Sequence, residues 1–100
     1  MNDHEKEKNI LLEFSITPMD KGESVGQYVE HALDIIKKSD LPYKIDPMST
    51  CLEGNWSQVM AVVEKCFQQM QKESNRVMIN MKVDYHHGKS GRIESRSKLA

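Results

Sequence analysis

Two stretches of the chain alternate apolar and polar residues, a pattern typical of strands that cover one face and expose the other. They are residues 9–17 and 76–85. Pro18 ends the first stretch, because proline cannot donate a hydrogen bond to a sheet. We predict a first and a last strand here. The apolar positions expected on the covered face are Ile10, Leu12, Phe14 and Ile16 in the first strand, and Val77, Ile79, Met81, Val83 and Tyr85 in the last.

Two other stretches repeat their apolar residues every third or fourth position, as amphipathic helices do. The first helix is predicted from about Ser24 to Lys38, with the serine as N-cap of a capping box. The second is predicted to start near Trp56, with Asn55 or Ser57 as its cap. The apolar positions are Val25, Tyr28, Val29, Ala32, Leu33 and Ile36 in the first, and Val59, Val62, Val63, Cys66, Phe67 and Met70 in the second.

Between the helices, residues 43–48 and 50–53 alternate again, so we predict a tight antiparallel pair of strands. The order strand, helix, strand, strand, helix, strand indicates an α+β fold of the ferredoxin-like βαββαβ type. In this fold a four-stranded antiparallel sheet carries both helices on one face. The other face would mix apolar with charged residues. It would either meet another subunit or a ligand, or form an ordinary solvated surface with ion pairs such as Glu13 with Lys82.

Composition excludes several classes of function. One hundred residues fit one domain, and 14 basic against 15 acidic residues give no electrostatic footprint for nucleic acid. No apolar run approaches the length that spans a membrane. Cys51 and Cys66 lack the spacing of a zinc or disulfide motif, which favours a reducing cytoplasm. The four histidines have no metal-ligand spacing either, so we predict no catalytic residue, no metal and no cofactor.

The segment from Pro47 to Trp56 is the strongest candidate for chemistry. A flat heteroaromatic ligand needs a ring to stack on and a few donors or acceptors in its plane. Thr50, Glu53 and Trp56 offer that set, provided that the turn at Gly54 brings them together. The alternative is a hairpin edge in which Trp56 is buried beneath a helix as part of the core.

Several short motifs, in collinear order over residues 9–86, resemble the small thiamine-binding protein family. The most specific is Pro-Met-x-Thr-x-x-Glu-Gly, which starts at Pro47, and the segment from Glu13 to Pro18 adds to it. The resemblance implies ferredoxin-like domains that form dimers or tetramers and bind thiamine or its hydroxymethylpyrimidine portion without known catalysis. Carried over by position, it implies a ligand site at Ser15, Met48, Thr50 and Glu53, with Ser24 and Tyr28 as neighbours.

These observations give a domain plan and a function. We predict a frayed or disordered N-terminus at 1–8, a thiamine-binding-type domain at 9–86, and a C-terminal tail at 87–100 that either adds an edge strand to an oligomer interface or is disordered. The expected function is cytoplasmic, non-enzymatic binding of thiamine or a related pyrimidine by a homodimer or homotetramer, as carrier or sensor. The alternative is a structural or regulatory oligomeric interaction module without a thiamine ligand.

The remaining class of function is an enzyme on the same fold. An acylphosphatase needs an arginine in a glycine-rich loop after the first strand, where this chain has only Lys21-Gly22. We therefore expect binding rather than catalysis.

Overall fold

The structure, a computed structural model, describes residues 9–97, with side chains up to residue 95. One antiparallel sheet of four strands has the order β2-β3-β1-β4. The predicted ferredoxin-like α+β fold is confirmed, whereas the prediction for residues 1–8 lies outside the described residues. The elements are β1 (Asn9–Pro18), α1 (Gly26–Lys37), β2 (Tyr43–Ile45), β3 (Thr50–Asn55), α2 (Trp56–Glu73), β4 (Val77–Tyr85) and α3 (Arg92–Ser97).

The core lies between one face of the sheet and the two long helices. All four apolar positions predicted for the covered face of β1 are buried. They pack with Leu52 of β3, with Ala32 and Ile36 of α1, and with the inner side of α2. Fully burying one such aliphatic or aromatic side chain stabilises the fold by roughly 1.5–3 kcal/mol. The alternating pattern of β1 therefore fixes which face of the sheet the helices cover.

The helix starts show one correct and one wrong cap prediction. Asn55 caps α2 as part of a capping box: the Gln58 N–H donates to Asn55 Oδ1 at 2.9 Å, and the Asn55 N–H donates to Gln58 Oε1 at 3.2 Å. The predicted Ser24 cap of α1 is wrong. Its N-cap is Val25, without a side-chain hydrogen bond, because the Ser24 N–H closes a turn onto the Lys21 carbonyl at 3.1 Å and the helix begins later.

The two strands between the helices differ in length. β2 has three residues, fewer than predicted, because the Asp46 N–H donates to the Ser49 carbonyl at 2.9 Å and turns the chain. β3 is longer than predicted and continues through Gly54 to Asn55. The chain therefore has a tight loop at residues 46–49 but no turn at Gly54.

The covered face that was predicted for β4 is only half covered. Val77 and Ile79 pack against the core. Met81, Val83 and Tyr85 are 52%, 38% and 51% exposed. The reason is geometric: β4 is an outer strand, while the helices pack mainly over β1 and β3.

Helix α3 lies on the opposite face of the sheet, against β3. Glycines with positive φ, Gly88 at 78° and Gly91 at 64°, form the connection that leads into it from β4. Positive φ values of this kind suit glycine, which has no Cβ to clash with the backbone. The part of the predicted tail at 92–97 is thus helical within the single chain.

Candidate functional site

A cleft of about 360 Å³ opens at the end of β1, between α1 and the loop at residues 46–49. Its volume falls within the range of small-molecule pockets, about 300–1,000 Å³. The polar residues on its wall are Ser15, Thr17, Asp46, Ser49 and Thr50. The apolar residues on its wall are Phe14, Ile16, Val29, Ala32, Leu33, Ile36, Ile45, Pro47 and Met48.

The hydroxyl groups around this cleft form no hydrogen bonds with the described part of the protein. Among the side chains that the structure describes, residues 9–95, those of Ser15, Thr17, Ser49 and Thr50 make no hydrogen bond. A hydroxyl is both a donor and an acceptor, so each one can bond to a ligand. The cleft therefore combines apolar walls with several free polar groups, as small-molecule sites do.

Thr50 owes its position to the start of β3. It directly follows the loop, and it is in register with Ile45 on one side and Phe14 on the other. Side chains alternate along a strand, so Thr50 shares the helix-covered face with buried Leu52. This places a buried residue with a hydroxyl on the inner wall of the cleft.

A second hollow of about 340 Å³ lies on the other side of the loop, above the open face of the sheet. Ser15, Met48 and Ser49 line both hollows. Met48 is 89% exposed, which is unusual for a large apolar side chain. The loop at residues 46–49 thus separates two hollows and presents a flexible thioether between them.

The structure brings three of the seven predicted site residues together and leaves the other four elsewhere. Ser15, Met48 and Thr50 all line the cleft. Ser24 is exposed in the loop before α1, and Trp56 is half exposed at the start of α2. Tyr28 packs against the core, and the Lys21 ammonium lies 5.3 Å from its ring centroid.

Glu53 lies on the opposite face of the sheet from Thr50, because β3 remains extended through Gly54 and its side chains alternate. It is only 3% exposed. Its carboxylate accepts the backbone N–H groups of Arg92 and Ile93, both at 3.1 Å, and the Asn9 side-chain amide at 3.4 Å. The expected convergence of Glu53 with Thr50 is thus absent, and this carboxylate holds the start of α3.

Sequence reasoning missed two groups of the cleft, Asp46 and Thr17. Asp46 supplies the carboxylate that Glu53 was expected to supply, and its position before Pro47 in a short turn was a usable signal. Thr17 stands one strand repeat beyond Ser15, so it belongs to the same face of β1.

The cysteines are poor nucleophiles. The pKa of the Cys51 thiol is raised, first by burial and then by the nearby carboxylates of Asp46 and Glu13, while Lys44 opposes the shift. Burial raises the pKa of the Cys66 thiol to about 11. Both thiols are therefore protonated near neutral pH, and a thiol is much less reactive than a thiolate.

Two further observations concern the described part of the chain. Residues 9–97 contain no group of three or more His, Cys, Asp or Glu side chains that could hold a metal ion. None of their helices has the length and apolar character needed to cross a membrane.

Sequence comparison identifies relatives over most of the chain. UPF0045 protein Mb1933 of Mycobacterium bovis is 38% identical over 81 residues, which cover 80% of this chain and 79% of that protein. UPF0045 protein MJ1052 of Methanocaldococcus jannaschii is 31% identical over 91 residues, 91% of each chain.

Structural comparison agrees. The crystal structure of the M. jannaschii protein MJ1052 matches with a TM-score of 0.83 at 30% identity, over 92% of this chain and 95% of the other. A Thermotoga maritima protein whose name refers to thiamine biosynthesis and salvage has the same fold, with a TM-score of 0.81 at 18% identity, over 92% and 99% of the two chains. Residues 12–100 match the model of the family described as thiamine-binding protein. This chain therefore belongs to the thiamine-binding protein family.

Proposed function

We propose that the protein binds thiamine or a related pyrimidine, such as hydroxymethylpyrimidine, in the cleft beside the loop at residues 46–49. It does so in the cytoplasm, without chemical change to the ligand, as a carrier or sensor that works as a homodimer or homotetramer. Membership of the thiamine-binding family supports the class of ligand. The cleft supports the location of the ligand site.

The observation that carries this proposal is the set of free hydroxyls between apolar walls. An aminopyrimidine has ring nitrogens that accept hydrogen bonds beside an amino group that donates them. The hydroxyls of Ser49 and Thr50 can donate to the ring nitrogens, and the Asp46 carboxylate can accept from the amino group. The Ser15 side chain lies on the open face of the sheet, opposite Thr50, and would contribute only through its backbone at the wall of the cleft. The ring itself would contact the aliphatic side chains of α1.

Binding explains these residues better than catalysis does. A nucleophilic mechanism needs an activated group beside the ligand, and Cys51 has a pKa raised by burial and by neighbouring carboxylates. Cys51 also lies outside the cleft, on a separate groove of about 650 Å³ over the open face of the sheet. The cleft offers hydrogen bonds and contact area.

Isothermal titration calorimetry of the full chain with thiamine, and separately with hydroxymethylpyrimidine, tests this function. We expect saturable binding of at least one of the two. An absence of heat with both compounds at millimolar concentration would contradict the proposal.

A second candidate is an oligomeric interaction module without a thiamine ligand. The exposed side chains of Met81, Val83 and Tyr85 favour it, because a row of large apolar side chains on an outer strand is typical of an interface. This candidate requires self-association of ligand-free protein in the ultracentrifuge together with an absence of binding in the calorimetric titrations.

A further inference from the structure

The cleft beside the loop at residues 46–49 has one charged residue among the described residues of its wall, Asp46. The other polar residues of the wall are serines and threonines. A carboxylate at a partly apolar site attracts cations and repels anions more strongly than it does in water, because the effective dielectric constant is lower. The charge that a ligand places beside Asp46 should therefore affect how tightly that ligand binds.

The candidate ligands carry different charges at one position of the same ring. In the aminopyrimidine of thiamine, the amino group and a methylene carbon are attached to neighbouring ring atoms. That methylene carries a cationic thiazolium ring in thiamine and an uncharged hydroxyl in hydroxymethylpyrimidine. In the phosphate ester of hydroxymethylpyrimidine it carries a phosphate with a charge of about −1.5 to −2 at pH 7. A carboxylate that accepts from the amino group lies beside whichever of these groups is present.

We propose that the cleft takes the pyrimidine in its unphosphorylated form, and that Asp46 is the residue that excludes the phosphate ester. This inference rests on the proposed function and names the chemical form of the ligand at the same cleft. The phosphate is attached directly to the methylene of the ring, so it must enter the cleft together with the ring.

The α1 side of the cleft offers a phosphate no compensating donor. Phosphates inside proteins are held by charged side chains or by the free N–H groups at a helix N-terminus. The residues of α1 on the wall run from Val29 to Ile36, and the Val29 N–H already donates to the Val25 carbonyl at 3.1 Å. The N–H groups that follow lie in the helix interior, where they are bonded within the helix.

Two lysines that could hold a phosphate lie on the open face of the sheet. Lys44 is in register with Cys51 of β3, and Lys82 is in register with Glu13 of β1. Both lysines line the groove over that face, and neither lines the cleft. The sheet therefore separates them from the buried side chain of Thr50, which lies on the helix-covered face.

Asp46 already acts on another group that can become an anion. It lies where the cleft adjoins the groove of the open face, since it lines both. The pKa of the Cys51 thiol in that groove is raised, first by burial and next by the Asp46 carboxylate. A negative charge beside Asp46 is thus disfavoured, and a phosphate in the cleft would meet the same repulsion.

Calorimetric titration of the full chain with hydroxymethylpyrimidine, with its phosphate ester and with thiamine tests this proposal. We expect the wild type to bind the phosphate ester at least tenfold more weakly than hydroxymethylpyrimidine. Asp46→Asn keeps the shape of the side chain and removes its charge. It should weaken binding of cationic thiamine at least threefold more than binding of hydroxymethylpyrimidine, and it should narrow the gap between hydroxymethylpyrimidine and the phosphate ester. A purely structural role of Asp46 would change all three dissociation constants by the same factor.

A cation added to the wall should have the opposite effect. Met48 lines the cleft and is 89% exposed, so a lysine is accommodated there without disturbing the core. Met48→Lys should strengthen binding of the phosphate ester relative to hydroxymethylpyrimidine at least threefold. Met48→Gln is the matched control, with a similar length and no charge, and it should leave this ratio unchanged. Lys82→Gln should also leave it unchanged, and far-UV circular dichroism checks that each variant folds.

Equal affinity of the wild type for hydroxymethylpyrimidine and its phosphate ester would overturn the proposal, as would an Asp46→Asn variant that changes all three affinities equally. A selective loss of affinity for the phosphate ester in Lys82→Gln would also overturn it, because the phosphate would then reach the open face. In each of these cases a pyrimidine still binds and the proposed function stands. Binding of none of the three compounds would overturn both proposals, so the two failures are distinguishable.

Discussion

Glu53 and Arg92 are 39 residues apart in the chain, yet a carboxylate oxygen of Glu53 accepts the Arg92 backbone N–H at 3.1 Å. The other carboxylate oxygen accepts the next N–H, from Ile93, at the same distance. Two N–H groups at the start of α3, which have no partner inside that helix, are thereby satisfied on the open face of the sheet. Glu53 joins the C-terminal helix to the central part of the sheet.

Glu53→Gln should therefore destabilise the protein rather than empty the ligand site. An amide supplies one acceptor oxygen instead of two, and losing a hydrogen bond to a charged group costs about 1.5–3 kcal/mol. We expect a loss of this size in the free energy of unfolding by urea, with thiamine affinity changed less than twofold. Exposed Glu64 on α2 provides the control, Glu64→Gln, which should be neutral. Normal stability with thiamine binding abolished would instead place Glu53 at the ligand.

Thr50→Val should weaken pyrimidine binding at least tenfold, about 1.4 kcal/mol or more. The substitution keeps the side-chain shape and removes the hydroxyl, so a polar group of the ligand would lose its partner. Calorimetric titration measures the affinity. Trp56→Phe is the comparison, because Trp56 lies outside the cleft, and it should bind like the wild type. Equal affinities for Thr50→Val and the wild type would remove Thr50 from the site.

Gly54→Ala should destabilise the fold by about 1–3 kcal/mol. A Cβ at this position would lie 3.2 Å from Gln58 Oε1, 3.3 Å from Leu41 Cδ2 and 3.4 Å from Val59 Cγ2. These are tight contacts, and they include the side chain that completes the capping box of α2. Thermal unfolding measures the effect. Gly26→Ala at the start of α1 is the control, since its Cβ would meet no atom within 4 Å and should leave stability unchanged or raised.

Acid should remove a contribution of Asp20 to stability. The Ser74 hydroxyl donates to the Asp20 carboxylate at 2.6 Å and the Asn75 N–H at 2.8 Å, which holds the pKa of Asp20 below its ordinary value of 3.8. Because the pKa of Asp20 is lower in the folded state than in the unfolded state, its ionised carboxylate stabilises the fold at pH values above the unfolded-state pKa. This stabilisation is lost as the pH falls through the folded-state pKa. Asp20→Asn should thus melt below the wild type near neutral pH, and the gap in Tm should close in acid. A gap independent of pH would contradict this role.

Much of the fold could be predicted from sequence, because the spacing of apolar residues along the chain matches the positions that the structure buries. β1 alternates strictly, and its buried residues are the predicted ones. Prediction from sequence fails where tertiary contacts determine whether a side chain is buried. The pattern of β4 continues past Ile79, yet whether Met81 is covered depends on where the helices pack, which no local pattern states.

The candidate site shows the same limit. Ser15, Met48 and Thr50 were predicted and do line one cleft. Glu53 was grouped with them on the assumption of a turn at Gly54, but the close approach of Leu41 and Val59 accounts for this glycine within a continuous strand. Its carboxylate is bound by α3, whose six residues carry no pronounced pattern.

The most direct test of the account is the position of a bound pyrimidine on the protein. Amide NMR spectra recorded during titration with hydroxymethylpyrimidine would locate it residue by residue. The account predicts the largest shifts at residues 15–17 and 46–50, around the cleft. Shifts confined to residues 53–56, or no shifts on saturation with the ligand, would contradict it.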